Sequence, residues 1–238
     1  MHRVVAAGSL LALLFGAHAG ALSAQDSSAP APPSIVTTGE GVVRRAPDQA
    51  FITVSVETRA RNPRDAQRQN AETMAALQQR IVAAGLPKDA VRTLGYNIQQ
   101  DVDYVDGRRV LRGYLARNGV EVRVDAVDRT GEILDAAVHA GATSVASVRF
   151  DLKDRAAAER EALRLAVVDA RARAEAAAAG AGLAVDRVLR IDDTAQVRVT
   201  PPRPLMAMAR EAADVSQTPI EAGELEIRAH VVLTVTIR

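Results

Sequence analysis

Few residue types on this chain could do chemistry. Its 238 residues include four histidines, no cysteine and no tryptophan. The lack of cysteine excludes disulfides, thiolate zinc sites and thiol nucleophiles. His139 shares the polar face of a short helical stretch with Glu132 and Asp135. That trio could ligate a divalent metal; a solvated face with a histidine placed favourably at a helix C-terminus accounts for the same pattern. His230 alternates with Glu226 and Arg228 on the polar side of a strand, as a surface histidine does. No serine lies in a nucleophile-elbow pattern. Gly39-Glu40-Gly41 lacks the third glycine of a dinucleotide loop, because Arg44 stands there, and reads as a strand irregularity. Carboxylates are many but scattered, which sets up no acid–base pair. No residue qualifies on sequence as catalytic, cofactor-binding or metal-ligating.

Two other features invite a binding role. Asn70 is the odd polar residue within a helix's apolar stripe, and a buried Asn needs partners, so it is expected to clamp a nearby loop or touch a ligand. Leu205, Met206 and Met208 lie in a long Pro-bearing stretch, where adaptable apolar side chains could pack on another subunit or on their own domain.

The elements that must position these residues are legible from periodicity. Residues 154–180 predict one long helix, capped by Asp154 and built of strong helix formers. Its expected apolar stripe is Leu163, Val167, Ala170, Ala174, Ala177 and Ala178, with Asp169 and Arg173 paired on the other side. Asn62-Pro63 starts a second helix, with Ala66, Asn70, Met74, Leu77, Ile81 and Ala84 on its stripe and Gly85 after it. Asp128 is expected to cap a short helix with Ile133, Leu134, Ala137 and Val138 inward and Gly141 at its end. Alternation marks strands at 49–58, from Leu94 to Tyr104, from about Arg109 to Asp125, at 146–152 and from Leu225 to Ile237. Asp106-Gly107 predicts a hairpin turn. Asn118-Gly119 interrupts the return strand and predicts a bulge or bend there. Residues 35–43 form a strand broken at Gly39-Glu40-Gly41.

Gly85-Leu86, Asp89 and Val91 recur at the same spacing as Gly182-Leu183, Asp186 and Val188. This echo predicts two β-α-β-β units, at about 49–125 and 143–238, within an α+β fold of antiparallel sheets backed by helices.

Residues 1–24 have the pattern of a secretory leader: Arg3, an apolar run to Ala17, and small residues up to an expected cleavage after Ala24. Residues 25–34 are expected to be a disordered lead-in. The remaining chain of about 214 residues can hold a core without disulfides. Loss of Arg3 from 30 basic residues leaves 29 against 29 acidic ones, so no basic excess drives nucleic-acid binding. No later apolar run is long enough to span a membrane.

Several stretches in order resemble a known family. They are Gly39-x-Gly41, Pro47-Asp48, the 49–58 strand leading to Ala66 and Asn70, and Gly85 followed by the Thr93 strand. Gly113-Tyr114-x-Ala116-x-Asn118 then runs into Val120, Val122 and Val124. Ile133-Leu134-Asp135-Ala136, Gly141-Ala142, Phe150, Ala166-Val167-x-Asp169-Ala170 and Pro219-Ile220-x-x-Gly223 follow. Together, over about residues 35–238, these resemble the SIMPL-domain family, whose bacterial members include periplasmic immunogenic proteins. The resemblance implies an α+β domain and export. It implies oligomers in some members, including ring- or channel-like ones, and a link in some to oxidative-stress defence. It supplies no catalytic residue. The chain departs from the family pattern at Gly119. Gly39, Gly41, Pro47, Asp48, Asn70, Gly113, Tyr114, Asn118, Gly141, Phe150, Asp169 and Gly223 are expected to be fold signatures, with Tyr114 packed in the core.

Two functions follow as expectations. One is an exported non-enzymatic periplasmic protein that forms homo-oligomers, with a scaffold, envelope or stress-related role. The alternative is a periplasmic module for a small ligand, using a groove between the helices and residues 201–222.

Overall fold

The computed structural model describes residues 32–194, 199–200 and 218–238. The fold is α+β. Its elements run β1 (Ser34–Arg45), β2 (Gln49–Ala60), α1 (Pro63–Ala83), β3 (Val91–Val105), β4 (Arg108–Val124), α2 (Thr130–His139) and β5 (Ser144–Asp151). α3 (Arg155–Gly180), β6 (Val185–Asp193), β7 (Val199–Thr200) and β8 (Leu225–Ile237) complete it.

Two antiparallel sheets form. One has the order β3-β4-β2-β5; the other has the order β1-β8-β6, with β7 beside β8. β5, which leads into α3, pairs with β2, while the N-terminal β1 lies along β8. The chain therefore crosses from one sheet to the other between β5 and α3.

α1 and α2 back the first sheet. Ile52, Val54, Val56, Val120 and Val122 meet Met74, Leu77, Ile81 and Ile133 in its core. Asn62 caps α1 by accepting from the Asp65 N–H at 2.9 Å, and Pro63 occupies the first turn. These are the local signals that begin a helix.

α3 backs the second sheet, and it does so closely. Its buried residues are Ala158, Ala162, Ala166, Ala170, Ala174 and Ala178, one every fourth position. Leu163 and Val167, expected on the buried stripe, flank it and are only half-buried; Ala177 is exposed. The reason is the surface beneath. A Cβ on Gly39 would fall 2.1 Å from the Ala166 carbonyl oxygen, and one on Gly41 would fall 1.9 Å from that of Ala162. Helix backbone lies directly on strand backbone there, so only alanine fits between. Val43 and the larger β8 residues Leu225, Ile227, Val231, Leu233 and Val235 fill the rest of this core.

Four local expectations are corrected. β1 runs unbroken through Gly39-Glu40-Gly41 and pairs with β8 from Ser34 to Arg45. β4 runs through Asn118-Gly119; the irregularity falls on its neighbour, where Leu94 is the extra residue between Thr93 and Gly95. Asp128 lies in a 3-10 turn, and Arg129 holds the N-cap position of α2 without a side-chain cap. Val138, expected inward, is 48% exposed.

Gly39→Ala or Gly41→Ala is expected to force α3 off β1 and to cost about 3 kcal/mol or more, beyond ordinary overpacking. Gly95→Ala, where nothing lies within 4 Å of the added Cβ, is expected to change stability little. Urea denaturation of the three variants makes the comparison.

Candidate interaction surfaces

The signature residues gather at three structural joints. At the α3–β1 seam, the Glu40 N–H donates to Asp169 Oδ2 at 3.0 Å and Thr37 Oγ1 donates to the Ala170 carbonyl at 2.8 Å. Asp169 also pairs with Arg173 at 3.0 Å. The Glu40 N–H, more than the nearby guanidinium, holds the Asp169 carboxyl below the usual aspartate range, against the opposing effect of burial. The Glu40 side chain pairs with Arg228, which also pairs with Glu226. Gly39-Glu40-Gly41 is thus a docking point for a helix and not a phosphate cradle.

The second joint lies under α1. Asn70 is fully buried, and its Nδ2 donates to the carbonyls of Val56 at 2.9 Å and Ala116 at 3.2 Å, bridging β2 and β4. Asn118 stands opposite Val56, on the parity of the buried Ala116 and Val120. Asn70 Oδ1 and Asn118 Oδ1 are both buried without a protein hydrogen-bond partner. A Cβ on Gly113 would lie 2.5 Å from the Ala60 carbonyl, so a side chain there would push β4 from the end of β2. Tyr114 next to it is half-buried and not in the core.

The third joint ties the β1–β2 turn to the start of α3. Asp48 Oδ1 accepts from the Lys153 N–H at 2.7 Å, and the Asp48 N–H donates to the Asp151 carbonyl. Pro47 lies half-buried beside Asp48. Elsewhere, Phe150 packs at the rim of the first core, Gly141 ends α2 against Thr73, and Gly223 turns the chain into β8 with φ +59°.

The trio on α2 is dispersed among other partners. His139 Nδ1 meets the Asp135 carbonyl at 2.7 Å. Both Asp135 carboxylate oxygens accept from Thr218, whose hydroxyl lies at 2.6 Å, and these bonds lower its pKa. Glu132 pairs with Arg129 at 2.7 Å, and that bond lowers its pKa likewise. The polar groove around them measures about 410 Å³. His230 is exposed on β8. Leu205, Met206 and Met208 lie outside the described residues.

Two further grooves lie among the described residues. One of about 520 Å³ lies between α1 and β3 and is lined by Gln78, Gln79, Val82, Ala83, Lys88 and Val91. Another, of about 310 Å³, gathers Arg92, Arg123 and Arg149 on the first sheet's far face. There Arg92 pairs with Glu121, Arg123 with Asp89 and Arg149 with Asp151.

One surface escapes the sequence reading. The β2–β4 register ends at Ala60 opposite Tyr114, and α1 starts only at Pro63. Past this point β3 and β4 continue as a two-stranded arm, with no further strand beside it among the described residues. On it Tyr104 is 69% and Leu111 53% exposed. The alternation of Tyr96, Ile98, Val102 and Tyr104 predicts a strand with one apolar face; nothing local tells where the helix covering that face stops.

Among the described residues no helix is long and apolar enough to cross a membrane. The SIMPL family, described as a protein of unknown function (DUF541), matches residues 35–235. A 26 kDa periplasmic immunogenic protein of Brucella melitensis is 30% identical over 225 residues, covering 89% of this chain and 88% of its own. The uncharacterized protein YggE of Escherichia coli is 30% identical over 149 residues, covering 63% of this chain and 61% of its own.

Asn70→Leu is expected to lose about 1–2 kcal/mol, the worth of two buried hydrogen bonds less the relief of an unpaired oxygen; chemical denaturation measures it. Asp169→Asn tests the seam by pH. The Asp169 pKa is lower in the folded state, so its stabilisation is present above the unfolded value near ~4 and is lost as pH falls through the folded one. The gap in melting temperature between the native protein and this variant is expected to be widest at neutral pH and to close in acid.

Proposed function

The chain belongs to the SIMPL family, and from that premise we propose that it is an exported, non-enzymatic periplasmic protein that works as a homo-oligomer. A scaffold or stress-related role in the cell envelope fits that reading. Its main support is the pair of open sheets. Among the described residues β3 and β5 border one and β1 and β6, with β7, the other, and β3 alone leaves 15 residues without a second strand partner. Exposed edges of that length are templates for pairing with another chain. Export is supported by the leader-like pattern of residues 1–24 and by the periplasmic name of the Brucella relative. A non-enzymatic role is supported by the α2 trio: Asp135 and Glu132 are held by Thr218 and Arg129, and His139 by a backbone carbonyl.

A second reading, a small-ligand module, is favoured by one observation, the groove of about 520 Å³ beside α1. Clefts of this size suit small ligands.

Protein recovered from the periplasm decides between them. Mass spectrometry is expected to find Gln25 as the first residue, and light scattering a defined oligomer. A monomer at every concentration overturns the first reading and leaves the second.

A further inference from the structure

We propose that the helix-side face of the β3–β4 arm is where two copies of this chain meet, ribbon on ribbon about a two-fold axis. This deepens the self-association reading above and rests on it.

The pairing register defines the face. Opposed residues of an antiparallel pair point to the same side. Tyr104 stands opposite Arg109, Val102 opposite Leu111, Gln100 opposite Tyr114, Ile98 opposite Ala116 and Tyr96 opposite Asn118. Ala116 and Val120, which share that parity, are fully buried beneath α1, so these rungs belong to the helix side of the sheet. Toward the tip the helix is gone. The surface is a core face that has lost its cover.

Its composition fits a protein partner. All three tyrosines of the chain, Tyr96, Tyr104 and Tyr114, lie on it. Leu111, Val102 and Ile98 fill the spaces between them, and Arg109 adds a cation beside Tyr104. Tyrosine and arginine are the residues enriched where proteins bind each other. A tyrosine tolerates water in the free protein and contributes a large apolar area when covered.

Charge selects a second copy as the occupant. Between Gln100 and Gly113 the arm carries Asp101, Asp103 and Asp106 against Arg108, Arg109 and Arg112. Its net charge is zero, so it neither repels its own copy nor draws anionic lipid or nucleic acid. The ribbon is bulged at Arg112, beside the Val102–Leu111 pair, and sheet faces stack at about 10 Å. The Gln100–Tyr114 rung is four residues from both Tyr96 and Tyr104, about 13 Å along the strand. A two-fold axis at that rung sets Tyr104 of each copy over the half-exposed Tyr96 of the other.

The lack of cysteine makes the test direct. Gln100→Cys introduces the chain's only thiol, near the proposed axis. A thiol-directed bis-maleimide long enough to span two stacked sheets is expected to cross-link it into a covalent dimer, whereas Ser147→Cys, exposed on the far face of the first sheet, is not. Tyr104→Asp combined with Leu111→Asp is expected to reduce the mass in solution at least twofold and to leave the melting temperature within a few degrees. Three results overturn the proposal, each differently. If the double variant keeps the native oligomer and Gln100→Cys stays uncrosslinked, the arm is not the interface and self-association stands. If the native protein is a monomer at all concentrations, the reading beneath the proposal fails as well. If it is a monomer that floats with phosphatidylglycerol vesicles and the double variant does not float, the face belongs to lipid.

Discussion

The contact between α3 and β1 sets the terms for the rest of this molecule. A helix normally stands about 10 Å from the sheet it covers, with side chains filling the gap. Here glycine on the strand and alanine on the helix remove that filling, and the two backbones touch. Dispersion between closely packed atoms replaces the burial of large side chains. The close fit brings the Asp169 carboxylate to the Glu40 N–H and the Ala170 carbonyl to the Thr37 hydroxyl. It also tilts the packing load onto β8, whose Ile227, Val231, Leu233 and Val235 provide the bulk that α3 lacks. From β1 the restraint continues through Asp48 to the backbone of Lys153, at the entrance to α3.

Local signals in the sequence carry most of the elements. The caps at Asn62 and Asp154 depend on residues three positions apart, and strand alternation depends on residues two apart, so each is visible without the rest of the chain. What depends on distant partners is not visible. The buried side of α3 is decided by two glycines more than 120 residues away, and a helix rich in alanine has no strong face of its own. Gly39-Glu40-Gly41 reads as a break because glycine weakens an isolated strand; in place, it is what lets the helix come near. Asn118-Gly119 reads as a bulge or bend because neighbouring strands on both sides, which hold it extended, cannot be inferred locally. Asn70 is the favourable case: a polar residue on an apolar stripe announces a buried hydrogen bond, although not which carbonyls receive it.

The candidate surfaces follow the same division. His139, Glu132 and Asp135 are close in sequence and on one helix, yet their partners come from Arg129, Thr218 and the backbone. The arm is the opposite case, made of ordinary alternating residues that become notable only because α1 begins where it does. Many arginine–carboxylate pairs coat the molecule, and most are exposed, so solvent screens them and each adds little to stability. Their effect is on solubility and spacing, and the apolar face of the arm stands out against them.

The pairing of β1 with β8 constrains time as well as space. Ser34 faces Thr236 across a register that joins residues about 200 positions apart. The surface that receives α3 is therefore incomplete until the last strand is available. A chain delivered N-terminus first could assemble α1 on β2 and β4 early, but its second sheet must wait for the final 13 residues. Such long-range closure makes folding slow, and it keeps β1 and α3 without their shared partner during that interval. Under the export proposed above, late closure would keep the chain threadable through a narrow channel, an advantage built into the order of its strands.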